Sequence, residues 1–180
     1  MNILVLGGSK SGKSTLAQQL TRTLARGGEM IYWATMEPTD SEDRTRIARH
    51  LDARAGWGFR TIERGHDLLQ ATVSPGWSIL LDSVTALLAN EMFLGGTLHP
   101  DAPQRVLAEL TKLSQAAQHL VCVCDDIFSN GMRYDPGTVA YCRGLAQVCR
   151  GLAGQFDTVC QVTAGIPKIW KGALPREDIR

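Results

Sequence analysis

A short apolar run, Asn2–Leu6, opens directly into Gly7-Gly8-Ser9-Lys10-Ser11-Gly12-Lys13-Ser14, and a helical pattern follows. No other stretch restricts the fold of this chain so tightly. The pattern G-x-x-x-x-G-K-[ST] does its work only between the end of a strand and the first turn of a helix. Gly7 and Gly12 permit backbone angles that a side chain would forbid. The loop then turns successive N–H groups inward as a nest for an anion, and the helix that starts at Lys13 aims its partial positive end at the same point. The residue types predict a phosphate cradle built from Gly7, Gly8, Ser9, Lys10, Ser11, Gly12, Lys13, Ser14 and Thr15. Within it, Lys13 is expected to reach the β- and γ-phosphates of a nucleotide, and the Ser14 hydroxyl to hold Mg²⁺. Ser11 and Thr15 read as loop and helix support, and Lys10 as a solvated charge beside the ligand.

Strand and helix patterns alternate through the rest of the chain. Asn2–Leu6 predicts a strand, and Lys13–Ala25 a helix with Leu16, Leu20 and Leu24 on one face, stopped by Gly27-Gly28. Met30–Ala34 predicts a second strand. Thr39-Asp40-Ser41-Glu42 has the form of a capping box that opens a helix to about Ala53. Phe59–Ile62 is expected as a short strand, Asp67–Ala71 as a helical turn, Ser78–Leu81 as a strand ending at Asp82, and Val84–Phe93 as a helix. Pro103 starts a helix to about Gln118. His119–Cys124 is a continuous apolar strand, the kind covered on both faces. Thr138–Gln155 is expected as a helix and Thr158–Thr163 as the last strand. This alternation predicts an α/β fold of P-loop NTPase-like type, a mostly parallel sheet with helices on both faces. Residues 1–166 form a single nucleotide-binding domain in this reading, and residues 167–180 a polar tail. Ligands of such sheets sit at the carboxyl ends of the strands, where Gly7, Thr35, Asp82 and Asp125 all fall.

Composition removes several alternatives. The chain has 180 residues with a net charge of +1, so no basic footprint for nucleic acid or an anionic membrane is present. No apolar stretch reaches the roughly 18 residues of a membrane span, and no basic leader with a cleavage site precedes the first strand. The five cysteines form no C-x-x-C pair, and three lie in apolar runs. They read as small buried residues of a reduced cytoplasmic protein.

Six further positions carry possible chemistry. Asp82 ends a buried strand, where an acid either holds Mg²⁺ or caps the helix that follows. Asp125 and Asp126 end another, and serve either a metal or substrate hydroxyl or a turn. Arg46, His50 and Arg54 share one helical stripe. Such a stripe is either a solvated face or a positive strip beside a triphosphate, with His50 as a nucleophile toward phosphorus.

Taken in order, these segments resemble the bifunctional adenosylcobinamide kinase/adenosylcobinamide-phosphate guanylyltransferase family of cobalamin biosynthesis. The family opens with G-G-x-x-S-G-K-S, matched at each fixed position by Gly7–Ser14. Its Y-x-A-T strand is found as Tyr32-Trp33-Ala34-Thr35, and its E-x-x-x-R-I-x-x-H helix as Glu42 through Arg46-Ile47-Ala48-Arg49-His50. Arg54 and Thr61-Ile62-Glu63 echo a family R-P-x-x-W-x-T-I-E segment. Asp82, Thr85 and Asn90 echo its L-x-[DE]-C-[IL]-T-x-x-x-x-N. Gly165-Ile166 follows the last strand as the family's G-I does. The likeness weakens after residue 120: the family's V-T-N-E-V-G-x-G-I-V-P stands here as Val123-Cys124-Asp125-Asp126-Ile127-Phe128-Ser129-Asn130-Gly131-Met132.

The resemblance implies two reactions. One phosphorylates the hydroxyl of adenosylcobinamide with ATP or GTP. The other transfers GMP from GTP to that phosphate through a histidine phosphoramidate, whose histidine falls on His50. It further implies catalytic roles for His50 and Lys13, and nucleotide contacts from the loop and from Thr35, Arg46, Arg54, Glu63 and Asp82. Mg²⁺ at Ser14 and Asp82 and a homo-oligomer, a trimer in the family, complete the expectation. Two other readings stand beside it: a P-loop kinase for another small hydroxylated substrate, and a non-catalytic nucleotide-binding paralogue.

Overall fold

The computed structural model describes residues 1–36, 56–128 and 133–175. Seven strands form one sheet: β1 (Asn2–Gly7), β2 (Met30–Ala34), β3 (Phe59–Glu63), β4 (Ser78–Asp82), β5 (His119–Asp125), β6 (Thr158–Thr163) and β7 (Ile166–Lys171). Four helices are described: α1 (Lys13–Ala25), α2 (Val84–Met92), α3 (Ala102–Ala116) and α4 (Pro136–Gln155). The strand order is β3-β2-β4-β5-β1-β6-β7. β1 to β6 run parallel, and β7 returns antiparallel on β6. The mostly parallel α/β sheet expected from the alternating patterns is the fold.

Alternation along each strand divides the core in two. Ile3 and Val5 of β1, Tyr32 of β2, Leu80 of β4 and Val121 and Val123 of β5 point to one face, where Ala17, Leu20 and Leu24 of α1 cover them. Leu4, Ile31, Trp33, Ile79, Leu81, Leu120 and Cys122 point to the other, under α2, α3 and α4. The central strands are apolar on both faces because both faces are covered. Trp33 is fully buried in the second layer, so Trp33→Ala is of the class that costs about 3–5 kcal/mol.

Local signals set the helix ends. Ser83 caps α2 by accepting from the Ala86 amide at 3.2 Å. Asp135 caps α4 by accepting from Gly137 and Thr138, with Pro136 in the first turn. α1 ends at Arg26 in the left-handed region (φ 48°), with Gly27 following at φ 88°.

Two elements differ from the sequence reading. The stretch expected as a polar tail begins with β7, so Thr158–Thr163 is not the last strand. Ala164 and Gly165, at φ 49° and 79°, form the two-residue turn that joins β6 to β7, a twist suited to a tight hairpin. Every residue of β7 is exposed, which hides the strand from any reading based on burial alternation. The second difference is α4, which starts at Pro136 rather than Thr138 because Asp135 caps it there.

Candidate functional site

The site grows out of β1. Gly7 ends the strand, and a Cβ there would meet the Val162 carbonyl oxygen at 2.9 Å as well as Ser11 Oγ, so only glycine fits. Gly12 then sits at φ 93°, beyond the comfortable range of a side chain, as the N-terminal cap of α1. It supplies no side-chain cap, and the first turn of α1 holds no acid. The amides of that turn and the positive end of the helix dipole are thus presented to an anion. Ser11 Oγ is buried with no hydrogen-bond partner among the described residues, a polar atom that a bound phosphate would satisfy. Ser9, Lys10 and Thr15 are exposed, Lys10 with a left-handed backbone (φ 57°), and Ser14 is half-buried in the first turn.

The loop is buttressed from the far side by the β6–β7 turn. The Gly165 amide donates to the Ser11 carbonyl at 2.8 Å, and the Asp126 amide donates to Gly7 O at 2.9 Å. Asp126 also accepts from Gln161 Nε2 at 2.9 Å, which ties β5 to β6 across the base of the loop.

Lys13 reaches back over the loop. Its ammonium donates to Gly8 O at 3.2 Å and lies 2.8 Å from Asp125 Oδ1. Asp125 stands beside Gly7 in the β1–β5 register. Its amide donates to Thr85 Oγ1 at 2.8 Å, and Thr85 is fixed in turn by the Tyr141 hydroxyl on its carbonyl. The Cys124 and Cys149 sulfurs lie 3.5 Å apart behind this network; the hydrogen bond to Cys149, and then burial, push the Cys124 thiol well above its ordinary range.

Asp82 stands at the end of β4, two strands and about 10 Å from β1. Ser83, not Asp82, caps α2, so the carboxylate is not spent on the helix. The Tyr32 hydroxyl donates to its Oδ2 at 2.9 Å and turns it within the edge. The Ser14 hydroxyl and the Asp82 carboxylate each offer oxygen, the donor atom that a hard cation prefers.

Other expected contacts fall elsewhere. Thr35 is buried at the end of β2, and its hydroxyl both donates to the Ser83 carbonyl and accepts from the Ser83 amide, at 2.7 Å each. Asn90 donates to Thr35 O at 2.7 Å and to Gly65 O at 3.0 Å, so Thr35 and Asn90 clamp β2, the end of β3 and α2 together. Glu63 is exposed on the edge strand β3, four strand steps and about 19 Å from β1. Arg46, His50 and Arg54 lie outside the described residues. Sequence reasoning did not single out Tyr32, Gln161 or the β6–β7 turn as parts of the site. The turn carried a signal, the Ala164-Gly165 pair between apolar runs.

A family model described as cobinamide kinase / cobinamide phosphate guanyltransferase matches residues 3–169. The chain belongs to this family. It is an enzyme of phosphoryl and nucleotidyl transfer. Curated relatives match over nearly all of their length. A bifunctional adenosylcobalamin biosynthesis protein of Escherichia coli K12 is 32% identical over 94% of this chain and 94% of its own length. The protein of the same description in Salmonella typhimurium LT2 is 38% identical over 92% and 97%. That of Pseudomonas aeruginosa is 28% identical over 96% and 98%. The match includes most of β7, in accord with its place in the sheet and not in a tail.

A second polar cluster lies away from this edge. Glu91 of α2 accepts from the Asp67 amide at 2.9 Å and pairs with Arg105 at 3.2 Å. Glu109 of α3 accepts from the Leu68 amide at 3.4 Å. The carboxylates of Asp67, Glu91 and Glu109 converge within 4.8 Å of one another. They hold the 3₁₀ turn Leu68–Gln70 against α2 and α3. Burial, and then the Glu91 charge, push the Glu109 carboxyl above its ordinary value.

Proposed function

We propose that the loop edge is a single triphosphate cradle serving two reactions: phosphorylation of the hydroxyl of adenosylcobinamide with ATP or GTP, and transfer of GMP from GTP to the resulting phosphate. The observation that carries this reading is the Lys13 ammonium, poised over a glycine loop whose helix has no side-chain cap and whose Ser11 hydroxyl lacks a partner among the described residues. Membership of the family supplies the substrate.

In the first reaction, Lys13 and the loop amides offset the charge that develops on the β- and γ-phosphates as the acceptor hydroxyl attacks. In the second, a ring nitrogen of His50 attacks the α-phosphorus and pyrophosphate departs. The acceptor phosphate oxygen then attacks the phosphoramidate and the imidazole is released. Lys13 and the α1 N-terminus stabilise the departing pyrophosphate. Ser14 and Asp82 would hold Mg²⁺, which when bound screens the phosphate charges and polarises the P–O bonds. Tyr32 keeps the Asp82 carboxylate aimed through its hydrogen bond.

The protein works in this reading as a homo-oligomer in the cytoplasm. The apolar side chains left exposed on β7, Ile166 at 71% and Trp170 at 59%, support assembly. The described residues contain no helix long and apolar enough to cross a membrane.

Incubation with α-³²P GTP and Mg²⁺ tests the reading. The expected result is an acid-labile, alkali-stable label on the protein that vanishes in His50→Ala and is discharged by cobinamide phosphate. Label that survives the substitution removes His50 from the mechanism. Phosphoryl transfer to cobinamide with no label at all removes the guanylyltransferase half.

A further inference from the structure

The Lys13–Asp125 ion pair is the tightest charge contact at the loop, and both partners are partly withdrawn from water, with 11% and 34% of their side chains exposed. Lys13 is also the group expected to meet the β- and γ-phosphates. The same ammonium therefore serves two anions in turn. The backbone that carries the Asp125 carboxylate is held in place. The Asp125 amide is held by Thr85 Oγ1 at 2.8 Å, and the next amide, that of Asp126, by Gly7 O at 2.9 Å. The chain at residue 125 is thus pinned to α2 on one side and to β1 on the other. Asp126 has its own structural engagement with Gln161, which leaves Asp125 as the acid that meets Lys13.

We propose that Asp125 is a positioning residue that holds the Lys13 ammonium while the cradle lacks triphosphate and yields it to the β- and γ-phosphates on binding. The proposal rests on the reading of the loop as a triphosphate cradle. Its consequence is a built-in penalty on triphosphate binding. A ligand with β- and γ-phosphates must take Lys13 from the Asp125 carboxylate and then lie beside it, whereas a monophosphate need not touch the pair. Neutralising residue 125 removes both the competition for Lys13 and the repulsion of the phosphates. An amide in its place keeps the shape and the acceptor oxygen.

Isothermal titration of GTP and GMP, with Mg²⁺ present, into the wild-type chain, Lys13→Ala, Asp125→Asn and Asp125→Ala tests this. GTP is expected to bind both Asp125 variants about three- to tenfold more tightly than wild type, the scale of one partly screened charge pair. GMP affinity is expected to stay the same. A purely structural role for Asp125 would shift the melting temperature and both affinities together. Unchanged or weaker GTP binding in the Asp125 variants, with wild type binding GTP and Lys13→Ala failing to, overturns the proposal and leaves the cradle standing. If wild type fails to bind GTP, or Lys13→Ala binds as well as wild type, the cradle reading fails and the proposal falls with it.

Discussion

Two clusters of polar groups sit on this scaffold, and they differ in how completely they are satisfied. Around Asp67, Glu91 and Glu109, each named acid already has work: Glu91 and Glu109 accept from the Asp67 and Leu68 amides, Glu91 also pairs with Arg105, and the Asp67 carboxylate meets His66 Nδ1 at 3.1 Å. Around the loop after β1 the balance is open. The α1 N-terminus has no side-chain cap, and Ser11 Oγ is buried without a partner among the described residues. A closed cluster of charges fastens elements together. An open one, built on glycines that bring the backbone close, has capacity left for a ligand. The first cluster looks more like a metal site to a count of carboxylates, and the second is the better binding site by the state of its hydrogen bonds.

Lys13→Ala should weaken triphosphate binding about 100-fold, or 2–3 kcal/mol, because a charge-assisted contact in a partly buried site is lost. Its urea midpoint should barely move; a large loss of stability there would make Lys13 a fastening residue like Glu91. Glu91→Ala should do the reverse. It leaves the Asp67 amide without its acceptor and the Arg105 guanidinium with Asp101 alone, at a cost of about 2 kcal/mol in urea unfolding, with GTP affinity unchanged.

The smallest effect concerns Glu109. Its folded value is raised above the ordinary 4.5, so the folded chain holds this proton more firmly than the unfolded chain. The associated stability is present below pH 4.5 and lost as pH rises through the raised value. Glu109→Gln should therefore be slightly more stable than wild type at pH 7, and the gap should close toward pH 4.5. Urea midpoints of both proteins across that window measure it, and a gap that widens on acidification would mean that the Glu109 carboxylate is stabilised rather than strained.

What was legible in the sequence follows the same division. The glycine loop, α1 and β2 were readable to the residue, because apolar periodicity and glycine placement are local signals. β7 was not, because an edge strand exposed at each position, with Pro167 inside it, lacks the alternation that marks a half-buried strand. Asp82 could be placed at the sheet edge, but only the structure moves the cap of α2 to Ser83 and so leaves the carboxylate for other work. The partner of Lys13 was equally hidden. Asp125 lies 112 positions away in the chain, and only the parallel pairing of β1 with β5 sets it beside Gly7. Thr35 shows the converse: a polar residue at the right edge whose hydroxyl is committed to Ser83.

If one cradle serves both reactions, Lys13→Ala disables both, and a product assay reads this in one experiment. Adenosylcobinamide is supplied with ATP to follow its phosphorylation, and in parallel adenosylcobinamide phosphate is supplied with GTP to follow GMP transfer, each product being resolved by mass spectrometry. Both rates should fall together, by about 100-fold or more, while the wild-type chain performs both reactions. Phosphorylation lost with GMP transfer retained at the wild-type rate would contradict it, and would place the second reaction at a different site.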